Sequence, residues 1–68
     1  MTTATQTIDN HGIMEIKVGT KSVKSYQQDG VWYSRSFVNN GETAGYHNAE
    51  HKTQTGAIRW AHRVLLGM

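Results

Sequence analysis

Met14 to Val18 alternates apolar and charged side chains, Met-Glu-Ile-Lys-Val, as a strand with one buried face requires. Gly19-Thr20 then turns the chain, and residues 22–27 are placed to return antiparallel. Asp29-Gly30 and Asn40-Gly41 follow, two dipeptides that tolerate the positive φ of tight hairpin turns. Residues 26–46 therefore read as two hairpins in series, sharing a strand from Val31 to Val38 that is rich in residues suited to a pleated surface. The pattern changes period after residue 52. Ala57, Ile58, Ala61, Val64 and Leu65 recur at three- and four-residue intervals, one apolar stripe of a helix, with Trp60 flanking it. Thr53 is positioned as its N-cap and Gly67 as its C′ residue, while Gly56 in the first turn costs about 1 kcal/mol against alanine. The expected fold is α+β: a three- or four-stranded antiparallel meander packed on one face by a single C-terminal helix.

Two polar stretches carry no such pattern. Residues 1–11 are rich in Thr, Gln and Asn with almost no apolar content to offset ordering entropy, so residues 1–12 are expected to form a flexible tail on a single domain of residues 13–68. Residues 45–52 read as a polar connection between meander and helix.

A two-residue turn at Asp29-Gly30 places Tyr26 opposite Tyr33, Lys24 opposite Arg35 and Val23 opposite Ser36. One face then carries Tyr26, Tyr33, Phe37 and Tyr46 with Lys24 and Arg35 among them; the other carries Val23, Trp32 and Val38 separated by serines. Apolar area favours burying the tyrosine face. Charge opposes it, since two adjacent unpaired cations under a helix would cost several kcal/mol. The serine face lets a helix approach closely, and Trp32 fills the remaining space. The charge argument is preferred here, leaving an aromatic and basic sheet face uncovered.

Composition narrows the function classes. A 68-residue chain lies near the lower size limit for an unaided hydrophobic core. It has no cysteine, so neither a disulfide framework nor a thiolate metal site is available, and oligomerisation is one way to bury more surface. No apolar run resembles a signal peptide or a membrane span, so a cytoplasmic protein without membrane contact is expected. The net charge of +2 permits nucleic-acid contact without demanding it.

From Gly30 to Ala61 the chain resembles the sheet-plus-helix DNA-binding domains at the N-terminus of phage tyrosine integrases, which are related in shape to the plant ethylene-response-factor type. Trp32 opens the strand, Asn40-Gly41 makes the turn, and Lys52-Thr53, Ala57 and Trp60-Ala61 match the helix start and its apolar positions. His51 stands where that pattern has phenylalanine. The resemblance implies that Trp32, Ser34, Ser36 and Val38 point at the helix and Tyr33, Arg35 and Phe37 away from it, in agreement with the charge argument. It implies DNA binding without recombinase activity, since no catalytic domain follows. Trp32, Asn40-Gly41-Glu42 and Thr53 are also similar to YegP-like ββα repeats of unknown function, with a strand register one residue off.

Residues 47–51, His-Asn-Ala-Glu-His, spell the inverted zincin pattern H-x-x-E-H, which on a helix would put two histidines on one face of a zinc ion. A metalloprotease needs a far larger scaffold, so a solvated polar loop with no metal is expected. With no Gly-rich phosphate loop and no supported Ser/His/Asp arrangement, neither an enzyme nor a cofactor is expected. Arg59, His62 and Arg63 read as a solvated helix face.

The candidate site is thus Lys24, Tyr26, Tyr33, Arg35, Phe37 and Tyr46: rings to stack on bases or pack against sugars, cations to hold phosphates. The expected function is a small binding module that contacts DNA through this face. The same residue types suit protein interfaces, so a phage or mobile-element protein that binds a host protein complex is the alternative. Either a monomer or a homodimer with paired sheets is compatible with the chain.

Overall fold

The computed structural model describes residues 4–67, apart from the side chain of Tyr46. Five antiparallel strands follow one another in space as in sequence: β1 (Thr5–Ile8), β2 (Met14–Val18), β3 (Lys21–Gln28), β4 (Val31–Val38) and β5 (Thr43–His51). One helix, α1 (Gln54–Gly67), packs across β2 to β5 on a single face. The α+β meander with its C-terminal helix is thus as expected, with more strands than the apolar pattern announces.

The turns explain the register. Asp29 and Gly30 both hold positive φ, 53° and 80°, as a type I′ turn demands, and β3 pairs with β4 as Tyr26 to Tyr33, Lys24 to Arg35 and Val23 to Ser36. Asn40-Gly41 behaves differently. Asn39, Asn40 and Gly41 all hold positive φ, and the β4–β5 ladder resumes at Val38 and Thr43, so a four-residue connection containing a 3₁₀ turn replaces the expected two-residue one. The Asn40 N–H donates to the Thr20 carbonyl at 2.9 Å, tying this connection to the β2–β3 turn.

The core lies between sheet and helix. Met14, Ile16, Val18 and Val23 meet Ala57, Ala61 and Leu65, with Trp32, Ile58, Trp60 and Val64 packed around them. The sheet side of this layer also buries Ser25, Ser34 and Ser36. Their small side chains, facing Ala57 and Ala61, allow the close approach of helix to sheet. A hydrogen bond of 2.8 Å between the Ser25 and Ser34 hydroxyls satisfies each in the other. Thr53 caps the helix as its position in the sequence indicates: its Oγ1 accepts from the Gly56 N–H at 3.1 Å. The helix continues through Gly67 rather than stopping before it.

Two polar stretches are ordered against expectation. The composition predicts a tail through residue 12, yet Thr5–Ile8 pairs along its length with β2. All four residues are exposed, so backbone hydrogen bonds rather than buried apolar surface hold this edge strand. A compact turn closes it: Asp9 Oδ1 accepts from the His11 and Ile13 N–H groups at 2.8 and 3.0 Å. Residues 45–52, expected as a connection, are largely strand β5, which pairs with β4 and so inherits its order from it. Residues 1–3 of the expected tail lie outside the described residues.

The Asp9 carboxyl is held below the ordinary aspartate range, chiefly by the hydrogen bond from the Ile13 backbone. A depressed folded-state value means that the carboxylate supports the turn above the unfolded aspartate pKa and loses that support as pH falls through the folded value. Protection of the His11 and Ile13 amides, taken relative to their intrinsic exchange rates, is therefore expected to fall selectively in acid, and Asp9→Asn to remove that loss. Protection that stays unchanged through the carboxylate range would contradict this assignment.

A candidate interface on the uncovered sheet face

Alternation along β3 and β4 decides which side chains stay away from the helix. Lys24 and Tyr26 from β3 and Tyr33, Arg35 and Phe37 from β4 share the uncovered face, while Trp32, Ser34 and Ser36 face the helix layer. Five of the six residues expected at the site are thus brought together. The sixth, Tyr46, has its backbone in β5, and its side chain lies outside the described residues.

Two contacts organise the patch. The rings of Tyr26 and Tyr33, directly opposite in the ladder, stack with centroids 5.5 Å apart and planes 27° from parallel. The Lys24 ammonium sits 5.2 Å from the centroid of the Phe37 ring, near enough for attraction to its π face. Arg35 is exposed beside Lys24.

The register extends the patch across neighbouring strands in two rows. Glu15 lies opposite Lys24, which is opposite Arg35, which is opposite Asn48; Tyr33 is in turn opposite Glu50. A concavity of about 560 Å³ runs over Lys24, Tyr33, Arg35, Asn48 and Glu50, and Ile13 borders it beside Tyr26. Sequence reasoning missed Asn48 and Glu50 because residues 45–52 were assigned no strand, and without a strand no face. Continuing the ladder from β4 was the available signal.

β5 departs from regular pairing at one place. Arg35 pairs with Asn48 but Phe37 with Ala44, so residues 45–47 of β5 oppose Ser36 alone. Ser36 Oγ accepts from the His47 N–H at 3.2 Å, and Gly45 packs directly on the Ser36 side chain. This irregularity bends β5 where it borders the patch.

The H-x-x-E-H segment is strand, not loop or helix. Four residues of strand separate His47 and His51 by about 13 Å, too far to share an ion. Among the described residues no group of three His, Cys, Asp or Glu is placed to hold a metal. His51 instead turns to the helix side, with its ring 5.6 Å from that of Trp60 and its Nε2 buried without a hydrogen-bond partner.

No helix among the described residues is long and apolar enough to cross a membrane. No family model, curated protein or solved structure matches the chain.

Proposed function

We propose that the chain is a small non-enzymatic binding module that contacts DNA through its uncovered sheet face and works in the cytoplasm. The observation that carries this reading is the Tyr26–Tyr33 stack beside the two adjacent cations Lys24 and Arg35. Rings offer surface to bases and sugars, and the cations offer charge to phosphates. The pattern shared with integrase N-terminal domains, Trp32, Thr53, Ala57 and Trp60-Ala61, supports the same reading.

Salt tests it. If Lys24 and Arg35 each neutralise a phosphate, the logarithm of the DNA binding constant falls against the logarithm of salt with a slope of about −1.4 on a single strand and about −1.8 on a duplex. Anisotropy on mixed-sequence DNA, single-stranded and duplex, is the measurement, and no binding to either form at low ionic strength sinks the reading. Arg35→Ala is expected to weaken binding while changing stability by no more than about 0.5 kcal/mol, as for other exposed substitutions. A large fall in Tm would instead give Arg35 a structural role.

One observation favours a second reading. Glu15 and Glu50 share the face with the cations, and carboxylates repel phosphates. A mixed-sign aromatic face suits a protein partner, such as a host complex bound by a phage-type inhibitor, or a second copy of the chain. Light scattering after size exclusion separates the homodimer from the monomer.

A further inference from the structure

The outer strands restrict which form of nucleic acid reaches the patch. Five strands spaced 4.7–4.9 Å apart make a sheet about 19 Å across, whereas the major groove of B-form DNA is about 12 Å wide. The patch lies on β3 and β4, with β1 and β2 on one side and β5 on the other. A duplex groove that took in the patch would have to take in those neighbours as well.

The chemistry of the patch points the same way. Bases in a duplex have both faces occupied by their neighbours and present only edges, so an aromatic ring face has nothing to stack on. Tyr26 and Tyr33 turn one face of each ring to the other, and Tyr26 remains 44% exposed. Such surface can stack on an unstacked base, whereas a duplex leaves it only sugar edges to pack against. The hollow beside it, about 560 Å³, is large enough to take a single base. Lys24 and Arg35, one row along the sheet from the tyrosine pair, lie where the backbone of a strand crossing the sheet would pass.

Resting on the DNA-binding reading above, we infer that the ligand of this face is a single strand, laid across β3 and β4 with a base on Tyr26 and phosphates at Lys24 and Arg35. The carboxylates at Glu15 and Glu50 then limit the path at either side of the patch.

The test uses the full chain and one labelled 12-nucleotide mixed sequence at low ionic strength, presented as a DNA strand, an RNA strand and the DNA duplex. A single strand of either kind is expected to bind more tightly than the duplex by a factor of about five or more, the least that one base stack contributes. Tyr26→Ala is expected to weaken single-strand binding by about 5- to 150-fold. Tyr26→Phe should retain most of the affinity, whereas Tyr26→Leu, which keeps bulk without a ring, should lose it. A duplex that binds as tightly as the strands overturns the single-strand inference and leaves the DNA reading standing. So does single-strand affinity that is unchanged in a folded Tyr26→Leu protein. Absence of binding to all three removes both.

Discussion

Ile16→Ala is expected to leave a large fraction of the chain unfolded under conditions in which the parent is folded. Ile16 has no exposed surface and sits at the centre of β2, paired with the equally buried Val23. Removing a buried isoleucine to alanine costs about 2–5 kcal/mol, the lost transfer energy plus the cavity. Domains hold about 0.05–0.15 kcal/mol per residue, so a chain of 68 residues has roughly 3–10 kcal/mol in total. The core has little in reserve. Among the described residues, two of its seven buried apolar side chains are alanines, and the three serines on its sheet side contribute hydrogen bonding rather than apolar area. Urea denaturation followed by tryptophan fluorescence measures the effect, with Ile16→Val expected to cost only about 0.5–1.5 kcal/mol. An alanine variant that melts within a degree or two of the parent would show that β2 does not anchor the helix.

Gly45→Ala is the second large effect. A Cβ on Gly45 would clash with Ser36 Oγ and lie 3.2 Å from Ser36 Cβ and 3.4 Å from the Ser36 carbonyl carbon. Ser36 is fully buried, and its hydroxyl already accepts from the His47 N–H, so it cannot turn aside without breaking that bond. Overpacking of this kind costs about 1–3 kcal/mol. The pairing is reciprocal. Ser36→Gly in the Gly45→Ala background should recover part of the loss, giving a favourable coupling in a double-mutant cycle of thermal or urea stability. A neutral Gly45→Ala would mean that β5 does not make its irregular pairing at Ser36. Because Asn48 and Glu50 depend on that pairing for their places in the concavity, the same variant should also alter binding at the sheet face.

Much of the architecture is readable in residue order because it rests on local rules. Asp29-Gly30 specifies a turn type, the turn type specifies the register, and the register puts Tyr26 against Tyr33 and Lys24 against Arg35. Thr53 and the stripe from Ala57 to Leu65 mark the helix by the same locality. The sidedness of the sheet was readable for an electrostatic reason: burying Lys24 and Arg35 together costs more than exposing Tyr26 and Tyr33.

What residue order does not reveal is structure held by ladder partners rather than by local pattern. β1 buries none of its side chains and β5 lacks a regular apolar alternation; both are strands because a neighbour supplies backbone hydrogen bonds that no local pattern encodes. Asn40-Gly41 has the composition of a two-residue turn, yet Asn39 joins it at positive φ and Thr20 holds it through a bond across the sheet. The site divides along the same line. Its central residues follow from one turn and strict alternation, whereas Asn48 and Glu50 join it only through the β4–β5 ladder, whose irregular register no two-residue turn specifies, and Glu15 through the β2–β3 ladder. Local backbone preference and alternation are carried by each residue and its neighbours. Ladder partners and close contacts such as Gly45 on Ser36 exist only once the chain has come together, and they give the uncovered face its width, its hollow and its acidic borders.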